Sequence, residues 1–405
     1  MALVTTTILE PWTDFSKGNE RVKSNNFEPV RPVICHLSSC HHPFDIRIFK
    51  KECSSLAEGG YRVNLVVPHD HNQSVDGIQI WAMQKPKNRI ERFLFSTWRI
   101  FHTALETSST IYHFHDPDLI PVGLLLKAVG KKVIYDVHED VPKDILDKEY
   151  LPKFSRPVIS EIARWVEKIG ASAFDGIVAA TQSISRNFPA KKTVLVQNFP
   201  MLSDFSSQGP SPYSDRPYVI AYVGGITKIR GIRQMIQAME FLPEEYNAKL
   251  LLAGQFESPE VEAEMRNLPG WRHVDFRGWQ SRDQVAELLL QEARLGIVVF
   301  HPIANHVEAT PNKIFEYMAA GLPVVASNFD LWRGFFEKEN CGVVVDPMNP
   351  KAIAEAIRWI FESQTEAEEM GKRGKEAVWN MYNWGSEAKK LLHLYHELAG
   401  LTAIP

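Results

Sequence analysis

The chain has 405 residues, of which 44% are hydrophobic, and its formal net charge is −4. A single hydrophobic core stops growing at about 250 to 300 residues, so this length predicts two domains with separate cores. Because no basic excess is available to displace the counterions of a nucleic acid backbone, we do not expect nucleic-acid binding.

The start of the chain and the cysteines indicate where the protein acts. Residues 1–30 are polar and contain no apolar run long enough for a signal peptide or a membrane span, so we predict a flexible N-terminal extension. The four cysteines have neither the paired spacing of a zinc site nor the density of a disulfide scaffold. Reduced thiols in a cytoplasmic protein are therefore expected.

From residue 33 onward, short β-branched runs alternate with longer segments of helical periodicity. Near-continuous apolar strands joined by helical crossovers predict a parallel sheet covered on both faces. We assign 31–200 to a first domain of this kind. Its predicted strands are 33–37, 62–67, 78–82, 111–115, 132–137, 176–180 and 193–196.

A stretch rich in Pro, Ser and Asp at 201–217 interrupts the alternation and predicts an interdomain linker. A second α/β domain is predicted at 218–383, followed by an amphipathic terminal segment at 384–405. Two parallel sheets that face each other form a cleft, and sheets of this class bind ligands beyond the carboxyl ends of their strands. The predicted strands of the second domain are 219–223, 249–253, 273–276, 296–300, 323–326 and 342–345.

The stretch HVEATPNKIFEYMAAGLPVVAS, residues 306–327, contains a predicted helix start. Thr310 is expected to cap the helix and Pro311 to be its first residue, because proline lacks the amide that would otherwise be unpaired. Asn312 and Lys313 then lie in the first turn. Free backbone amides and a lysine at a helix start attract anions, phosphate above all.

Two glutamates flank this helix start. Glu308 is predicted in the loop and Glu316 one turn into the helix, and their carboxylates are suited to accept hydrogen bonds from paired hydroxyls, such as those of ribose or a hexose. A phosphate site between two polyol sites describes a nucleotide sugar. The alternative is that both acids are solvated surface charges and that Lys313 is an ordinary helix residue.

A second anion site is predicted where the strand YVIAYV ends in Gly224-Gly225 and passes Lys228 and Arg230 into a helix near Gly231. The glycines allow the backbone to approach a ligand closely, and arginine can bind a phosphate through two hydrogen bonds. An ordinary strand-to-helix turn remains the alternative.

The residues at 306–327 resemble the E-x7-E signature of retaining glycosyltransferases of the GT-B fold, family 4. The stretches HLSSCHHPFDIRIFKKECSSLAEGGYRVNLVV, IYHFHDPDLIPVGLLLKAVGKKVIYDVHEDVP and YNWGSEAKKLLHLYHEL are similar to bacterial members that build surface polysaccharides. The resemblance covers the chain from about residue 31. It implies two Rossmann-like, doubly wound α/β domains facing across a cleft, with the terminal helix crossing back to the first.

For the donor side, the resemblance implies that Glu316 binds the ribose, Glu308 the sugar hydroxyls, and Lys313 with Arg230 the diphosphate. Relatives commonly have an arginine after the first glycine of the turn, whereas this chain has Gly225. Either Lys228 supplies that charge or the diphosphate is held less firmly. The other implied donor-site residues are Gly224, Gln255, Arg277, Gly278, Thr310, Pro311 and Asn312.

On the acceptor side, the resemblance implies that His138 lies beside the reacting sugar, where it bonds a sugar hydroxyl or the leaving oxygen. The loop after the first strand and the end of the 111–115 strand are implied to admit the acceptor. A structural role for the histidines in these segments is the alternative. The acceptor-side candidates are Ser39, His41, His42, Asp45, His115 and Asp116.

No metal and no cofactor are expected apart from the UDP- or GDP-linked sugar. Asp116-Pro117-Asp118 mimics the D-x-D metal motif of another glycosyltransferase fold. In the present fold, basic residues and helix amides are expected to neutralise the diphosphate. Asp118 is instead predicted to cap a helix that begins at Leu119.

The expected activity is therefore transfer of a sugar, with retention and without a metal, to a glycan or lipid-linked acceptor. The resemblance implies front-side attack, in which the leaving phosphate helps to deprotonate the acceptor. Two alternatives stay open: a sugar-nucleotide 2-epimerase of the same fold, and a non-catalytic module that binds nucleotide sugars.

Two basic and aromatic segments, at 85–105 and 151–170, have amphipathic helical spacing. One interpretation is peripheral attachment to the anionic inner face of the membrane, where a lipid-linked acceptor would lie. The other is a packed helix with a solvated basic face. The sequence does not separate these two interpretations.

Overall fold

The computed structural model describes residues 32–85, 97–147, 151–206, 209–308 and 310–401. The predicted extension at 1–30 and residues 86–96 of the predicted basic segment at 85–105 lie outside the described residues. Residues 31–405 form one compact unit. In the part of this unit that is described, no helix combines the length and the apolar character needed to cross a bilayer.

The first half of the unit contains an eight-stranded sheet in the order β3-β4-β2-β1-β5-β6-β7-β8. Neighbouring strands are parallel except at the edge, where β3 pairs antiparallel with β4. The strands are β1 (Val33–Leu37), β2 (Arg62–Pro68), β3 (Gln73–Val75), β4 (Ile78–Met83), β5 (Ile111–Phe114), β6 (Lys132–Val137), β7 (Gly176–Ala179) and β8 (Thr193–Leu195).

The second half contains a six-stranded, fully parallel sheet in the order β11-β10-β9-β12-β13-β14. In both sheets the order reverses beside the first strand, and the crevice at such a reversal is where ligands bind. The strands are β9 (Val219–Val223), β10 (Lys249–Ala253), β11 (Val274–Gly278), β12 (Leu295–Val298), β13 (Val324–Ser327) and β14 (Gly342–Val345).

Helices cover the first sheet, and their inward side chains fill two hydrophobic clusters, one on each face. A π-helix, Ile46–Cys53, follows β1 and runs directly into the first α-helix. The α-helices of this half are α1 (Ser54–Glu58), α2 (Thr97–Glu106), α3 (Ile120–Ala128), α4 (Val141–Asp147), α5 (Arg156–Ala173) and α6 (Gln182–Ser185).

The second sheet has one continuous hydrophobic cluster of its own. Its helices, followed by the terminal helix, are α7 (Ile232–Ala238), α8 (Pro259–Arg266), α9 (Arg282–Glu287), α10 (Ala304–Val307), α11 (Asn312–Ala319), α12 (Asp330–Glu339), α13 (Pro350–Glu362), α14 (Gln364–Asn380) and α15 (Trp384–Ala399). The predicted fold class, two parallel α/β sheets, is confirmed.

Two predicted helix starts are wrong. The helix expected to begin at Pro311 begins at Asn312, because Pro311 has a ψ of 142 and serves as the cap in extended backbone. Proline fixes φ but leaves ψ free, so either position suits it. The helix expected to begin at Leu119 after an Asp118 cap begins at Ile120, since a 3₁₀ turn occupies Pro117–Leu119 first.

The terminal helix α15 packs against the first sheet. Trp384, Leu391 and Tyr395 belong to the same hydrophobic cluster as Ile34 and Ile134. The backbone N–H of Trp384 also donates to the carbonyl of Pro200 over 2.8 Å. The chain therefore crosses between the two halves twice, and the two crossing segments touch.

Candidate active site

The two halves together line a cavity of about 590 Å³. A second cavity, of about 370 Å³, lies in the second half and opens at the same place, because Asn312, Glu316 and Arg282 line both. Since the loops at the sheet reversals supply most of this lining, the site lies where the fold class predicts it.

In the described part of the chain, three cations line the smaller cavity: Arg282, which pairs with Asp204 and Glu316, and the two neighbours Lys313 and Arg230. Lys313, in the first turn of α11, is only 9% exposed, and its Nζ lies 4.9 Å from the ring centre of Tyr222 and 5.0 Å from that of Phe300. Burial, aided by the positive charge of Arg230, lowers the pKa of Lys313 to about 7. Lys313 and Arg230 together form a site with excess positive charge, which we call the cation socket.

The paired glycines after β9 make room for these cations. A Cβ at Gly225 would lie 2.8 Å from Nη1 of Arg230, and a Cβ at Gly224 would lie 3.4 Å from Nζ of Lys313. Arg230 thus folds back beside Gly225, the position where the resembled family has its arginine. Lys228 is ion-paired with Glu264 outside this lining. Arg230 rather than Lys228 therefore stands next to Lys313.

The two predicted acids share the larger cavity. Glu316 has a side chain that is 20% exposed, and its Oε1 lies 3.9 Å from Nη1 of Arg282. Glu308 follows α10 and ion-pairs with Lys143 of α4, in the other half. A ligand hydroxyl that donates a hydrogen bond to Glu308 must therefore compete with Lys143.

Four charged residues that line the two cavities were missed from the sequence: Arg47, Lys51, Asp204 and Arg282. Arg282 stands at the start of α9 and donates to Asp204 of the predicted linker over 3.0 Å. Lys51 is buried, and its Nζ donates to Oδ1 of Asn198 over 2.6 Å. Burial, followed by the charge of Arg282, lowers the pKa of Lys51 to about 7. These residues meet only through tertiary structure, and their spacing carries no signal.

Some predicted donor-side residues lie apart from the lining of the smaller cavity. Gln255 is exposed, and Arg277 pairs with Asp275 and Glu292. Gly278 has a positive φ of 65 at the end of β11. Gln280, two residues further on, is the part of this segment that does line the cavity. A nucleotide-binding role for the first three positions stays a prediction.

The acceptor-side loop is organised around the buried Asp116. Its Oδ2 accepts hydrogen bonds from Oγ of Ser38 over 2.8 Å and from the backbone N–H of Ser39 over 2.7 Å. Its Oδ1 lies 3.2 Å from Nδ1 of His41. The hydrogen bond to Asp116 raises the pKa of His41 to about 10, so the two form an imidazolium–carboxylate pair at neutral pH.

The other acceptor-side candidates have different surroundings. Asp45 caps the π-helix, accepting from the backbone N–H of Arg47 over 2.8 Å, and also lines the larger cavity. His42 accepts from the backbone N–H of Phe44 and is exposed. His115 is 3% exposed and belongs to a network beneath the cleft.

Asp136 is the centre of that network and was also missed. It is fully buried in β6, and it accepts from Nη2 of Arg47 over 3.0 Å, from His115 over 3.2 Å and from His138 over 2.9 Å. Burial acts to raise its pKa, but Arg47 and the imidazoles hold the pKa of Asp136 well below its usual range. The sequence did contain a signal for it, because an acid inside the apolar strand KVIYDV must be buried and therefore needs charged or hydrogen-bonding partners.

Among the described residues, two clusters have metal-type ligands: Cys40, His41 and Asp116, and the buried set Glu52, His113, His115 and Asp136. In the buried set, the guanidinium of Arg47 contacts both carboxylates and supplies the positive charge itself. Neither cluster includes the cation socket. Metal independence stays a prediction.

The chain is similar to known proteins over most of its length. The family model described as "Glycosyl transferases group 1" matches residues 206–377. An uncharacterized glycosyltransferase of Methanocaldococcus jannaschii is 30% identical over 85% of this chain and 92% of its own length. A D-rhamnosyltransferase of Pseudomonas aeruginosa is 26% identical over 70% of this chain and 72% of its own length.

Solved structures share the fold. Sucrose-phosphate synthase from Thermosynechococcus elongatus has a TM-score of 0.74 at 20% identity, covering 91% of this chain and 100% of that one. The Anabaena protein HepE, solved in complex with UDP-glucose, has a TM-score of 0.68 at 14% identity, covering 92% and 100%. At these identities the likeness concerns the arrangement of the two halves alone.

Proposed function

The chain belongs to the group 1 glycosyl transferases, enzymes of the GT-B fold, and we propose that it transfers a sugar from a nucleoside diphosphate to a glycan or lipid-linked acceptor with retention. The observation that supports this most is the cation socket, in which Lys313 and Arg230 face a cavity without a full complement of anions. Relatives that are D-rhamnosyl- and capsular polysaccharide glycosyltransferases favour a role in polysaccharide biosynthesis.

The donor diphosphate occupies the cation socket in this proposal. Departure of a nucleoside diphosphate builds negative charge on the leaving oxygens, and preorganised cations stabilise that charge more than they stabilise the ground state. Two adjacent cations, of which Lys313 is buried, are suited to this role. They also replace the divalent ion that other folds use, which is the basis for proposing metal independence.

The hydroxyl-bearing parts of the donor lie on either side of the diphosphate. Glu316, which lines both cavities, is placed to accept from the ribose, and Glu308, which lines only the larger one, from the sugar. Engagement of Glu308 by the sugar releases Lys143. Phe205 and Val285 supply apolar lining of the smaller cavity against which a base can pack.

A thermal-shift screen with UDP, GDP and their sugar conjugates tests donor binding. A ligand at about a hundred times its Kd stabilises the folded state by about 2.7 kcal/mol. At least one nucleoside diphosphate should raise Tm without added divalent ions and in the presence of EDTA. If none does, or if EDTA abolishes the shift, the metal-free donor site is refuted.

Lys313→Ala should lower kcat/KM by an amount equivalent to about 2.7 to 4 kcal/mol of transition-state stabilisation, because it removes one preorganised donor to the leaving group. Lys228→Ala is the matched control, since Lys228 lies near the same turn but pairs with Glu264. Steady-state kinetics with the donor found in the screen provide the measurement. Equal effects of the two substitutions would contradict the assignment.

Membrane attachment is supported by the outward face of α5. Val158, Ile162, Trp165 and Ile169 are 61, 58, 58 and 55% exposed, and at this spacing they form one stripe. The inward face carries small residues such as Gly170. Since the exposed face is apolar rather than basic, a solvated-helix interpretation explains it poorly. We propose that a cytoplasmic enzyme docks this stripe in the lipid interface, next to a lipid-linked acceptor.

Vesicle flotation tests the docking. The protein should float with vesicles that contain anionic lipid and less with zwitterionic ones, because Arg164 and Lys168 flank the stripe. Ile162→Asp should abolish flotation, whereas Ser172→Asp, at an exposed polar position of the same helix, should reduce it only slightly. Flotation that is unchanged by Ile162→Asp, or absent with both vesicle types, would refute docking through α5.

Two other activities fit the same fold and are distinguished by simple assays. A 2-epimerase converts the donor in the absence of any acceptor, so incubation of the donor alone should yield an epimer. A non-catalytic module binds the donor without hydrolysis or transfer. Neither is favoured by a specific feature of the site, whereas the acceptor-side cavity around His41 and His138 favours transfer.

A further inference from the structure

His138 projects from the end of β6 into the cleft and lines cavities on the acceptor side and between the halves. Its Nε2 lies 2.9 Å from Oδ2 of Asp136 and 3.3 Å from Nδ1 of His115, while no hydrogen bond to a described residue engages its Nδ1. A neutral imidazole has one nitrogen that donates and one that accepts. The state of Asp136 therefore decides which nitrogen of His138 carries the hydrogen.

A chain of buried hydrogen bonds approaches Asp136 from the opposite side. Nδ1 of His115 is 3.2 Å from Oδ2 of Asp136, and Nε2 of His115 is 2.9 Å from Nδ1 of His36. Nε2 of His36 is 3.2 Å from the hydroxyl of Tyr395, which is 2.8 Å from Nδ1 of His113. The chain thus extends from the cleft to α15.

Burial keeps these three imidazoles neutral. It lowers the pKa of His115 to about 4 and holds the pKa values of His36 and His113 well below their usual range. With each ring neutral and Asp136 ionised, both His115 and His138 donate to the carboxylate, so the 3.3 Å contact between Nδ1 of His115 and Nε2 of His138 joins two donors and is not a hydrogen bond. A single assignment then satisfies the remaining bonds of the chain. His113 donates to Tyr395, Tyr395 to His36, His36 to His115, and His115 to Asp136.

The charges around Asp136 agree with this direction. Arg47 donates to both of its oxygens, through Nη2 to Oδ1 and through Nε to Oδ2. The neighbouring Glu52 is fully buried, and burial together with the charge of Asp136 raises the pKa of Glu52 well above its usual range. Asp136 is then the one carboxylate balancing Arg47, and a carboxylate only accepts hydrogen bonds.

We propose that Asp136 is a positioning residue that holds His138 as the neutral tautomer with hydrogen on Nε2. The lone pair on Nδ1 then faces the cleft and accepts a hydrogen bond from a hydroxyl group. Of the two roles open to His138, hydroxyl binding and donation to the leaving oxygen, this tautomer selects the first. The identity of the hydroxyl, on the transferred sugar or on the acceptor, rests on the proposed glycosyl transfer, but the tautomer does not.

The tautomer is measured directly on the full chain without any substrate. Two-bond ¹⁵N–¹H correlation spectra of ¹⁵N-histidine-labelled protein, recorded above the ordinary imidazole pKa, should show hydrogen on Nε2 of His138 and on Nδ1 of His115 and His36. His138→Gln identifies the signal of His138. A His138 ring with hydrogen on Nδ1, or with hydrogen on both nitrogens at that pH, overturns the proposal.

Asp136→Asn supplies the functional test. An asparagine amide can donate to Nε2 of His138 and so favours the opposite tautomer. By analogy with the same exchange in a serine protease triad, kcat should fall by up to about 10⁴-fold. The affinity for the nucleoside diphosphate should be unchanged, because the cation socket is built from the second half. Retention of the Nε2–H signal together with full kcat would overturn the proposal.

Two outcomes separate this inference from the proposed function. If Asp136→Asn fails to fold, the spectrum of the unmodified protein alone decides the tautomer. If the unmodified protein binds no nucleoside diphosphate while His138 carries hydrogen on Nε2, the glycosyl-transfer proposal fails and the role of Asp136 stands.

Discussion

In the proposed donor site, we expect the protonation of Lys313 to be coupled to diphosphate binding. The pKa of Lys313 is about 7 in the free protein, below the ordinary lysine value of 10.5, because it is buried beside Arg230. A bound diphosphate opposes both effects and raises the pKa again. Below about pH 7 the lysine is charged before and after binding, whereas above that pH binding must take up a proton.

The affinity for UDP or GDP should therefore fall as the pH rises from 7 to 9, by up to about tenfold per unit. Phosphate groups have a pKa near 6, below this window, whereas Lys51 of the adjoining cavity has a pKa of about 7 and titrates within it. Calorimetry in buffers of different ionisation enthalpy would detect the proton uptake. Lys313→Arg should reduce this uptake, Lys51→Arg is the matched variant for the other lysine, and a pH-independent affinity of the unmodified protein would contradict the prediction.

At the residue scale, the sequence reveals only sites built from neighbours in the chain. Lys313, Glu316 and Arg230 were recognisable because a helix start and a glycine turn attract anions locally. Arg282 and Asp204 were not, because their pairing joins the start of α9 to the linker across 78 positions. Asp136 is an intermediate case. Its position inside an apolar strand indicates that a buried carboxyl group needs polar partners, but the sequence does not say which residues they are.

At the scale of elements, too, the features that the sequence predicts are those set by neighbouring residues, as the turns show. Asp76 and Gly77 have φ values of 51 and 77 and form the two-residue hairpin between β3 and β4, which the sequence signals as Asp-Gly and which was overlooked. All thirteen predicted strands exist, because apolar runs between turn residues fix their type. The helices that start at Asn312 and Ile120 were predicted to start one residue earlier, because capping preferences tolerate a shift of one residue.

The turn after β9 depends on Gly231, which has a φ of 79 and whose added Cβ would lie 1.9 Å from the carbonyl oxygen of Val299. Gly231→Ala should therefore lower the free energy of unfolding by more than the roughly 1 to 2 kcal/mol of a left-handed alanine. Gly77→Ala is the control, since Gly77 has a φ of 77 but open space around it. Urea unfolding measures both. Equal losses would show that the contact with Val299 is unimportant.

At the scale of the whole molecule, the last helix, α15, ties the second half to the core of the first. Leu391 of α15 is fully buried in the cluster of the first sheet. Leu391→Ala should destabilise that half by about 2 to 5 kcal/mol, because a cavity remains. Lys389→Ala, at an exposed position of the same helix, should change stability by less than about 0.5 kcal/mol. Hydrogen exchange of β1 and β6 reports the loss, and unaffected exchange in Leu391→Ala would contradict this packing.

The two-sheet architecture followed from alternation alone, because strands and helices differ in hydrophobic period. The packing of α15 against the first sheet did not follow from the sequence pattern, since an amphipathic pattern does not indicate which of two cores the helix covers. The cleft contacts between Lys143 and Glu308 were also hidden, because surface charges give no indication of their partners.

The hydrogen bond between Trp384 and Pro200 has a mechanical consequence. Two covalent connections that lie side by side form a hinge. They allow the two halves to rotate about one axis and resist rotation about the others. A protease that cut one connection would leave the other, together with α15, to keep the fragments joined. The nicked enzyme should thus migrate as one particle in native gels and as two bands after denaturation.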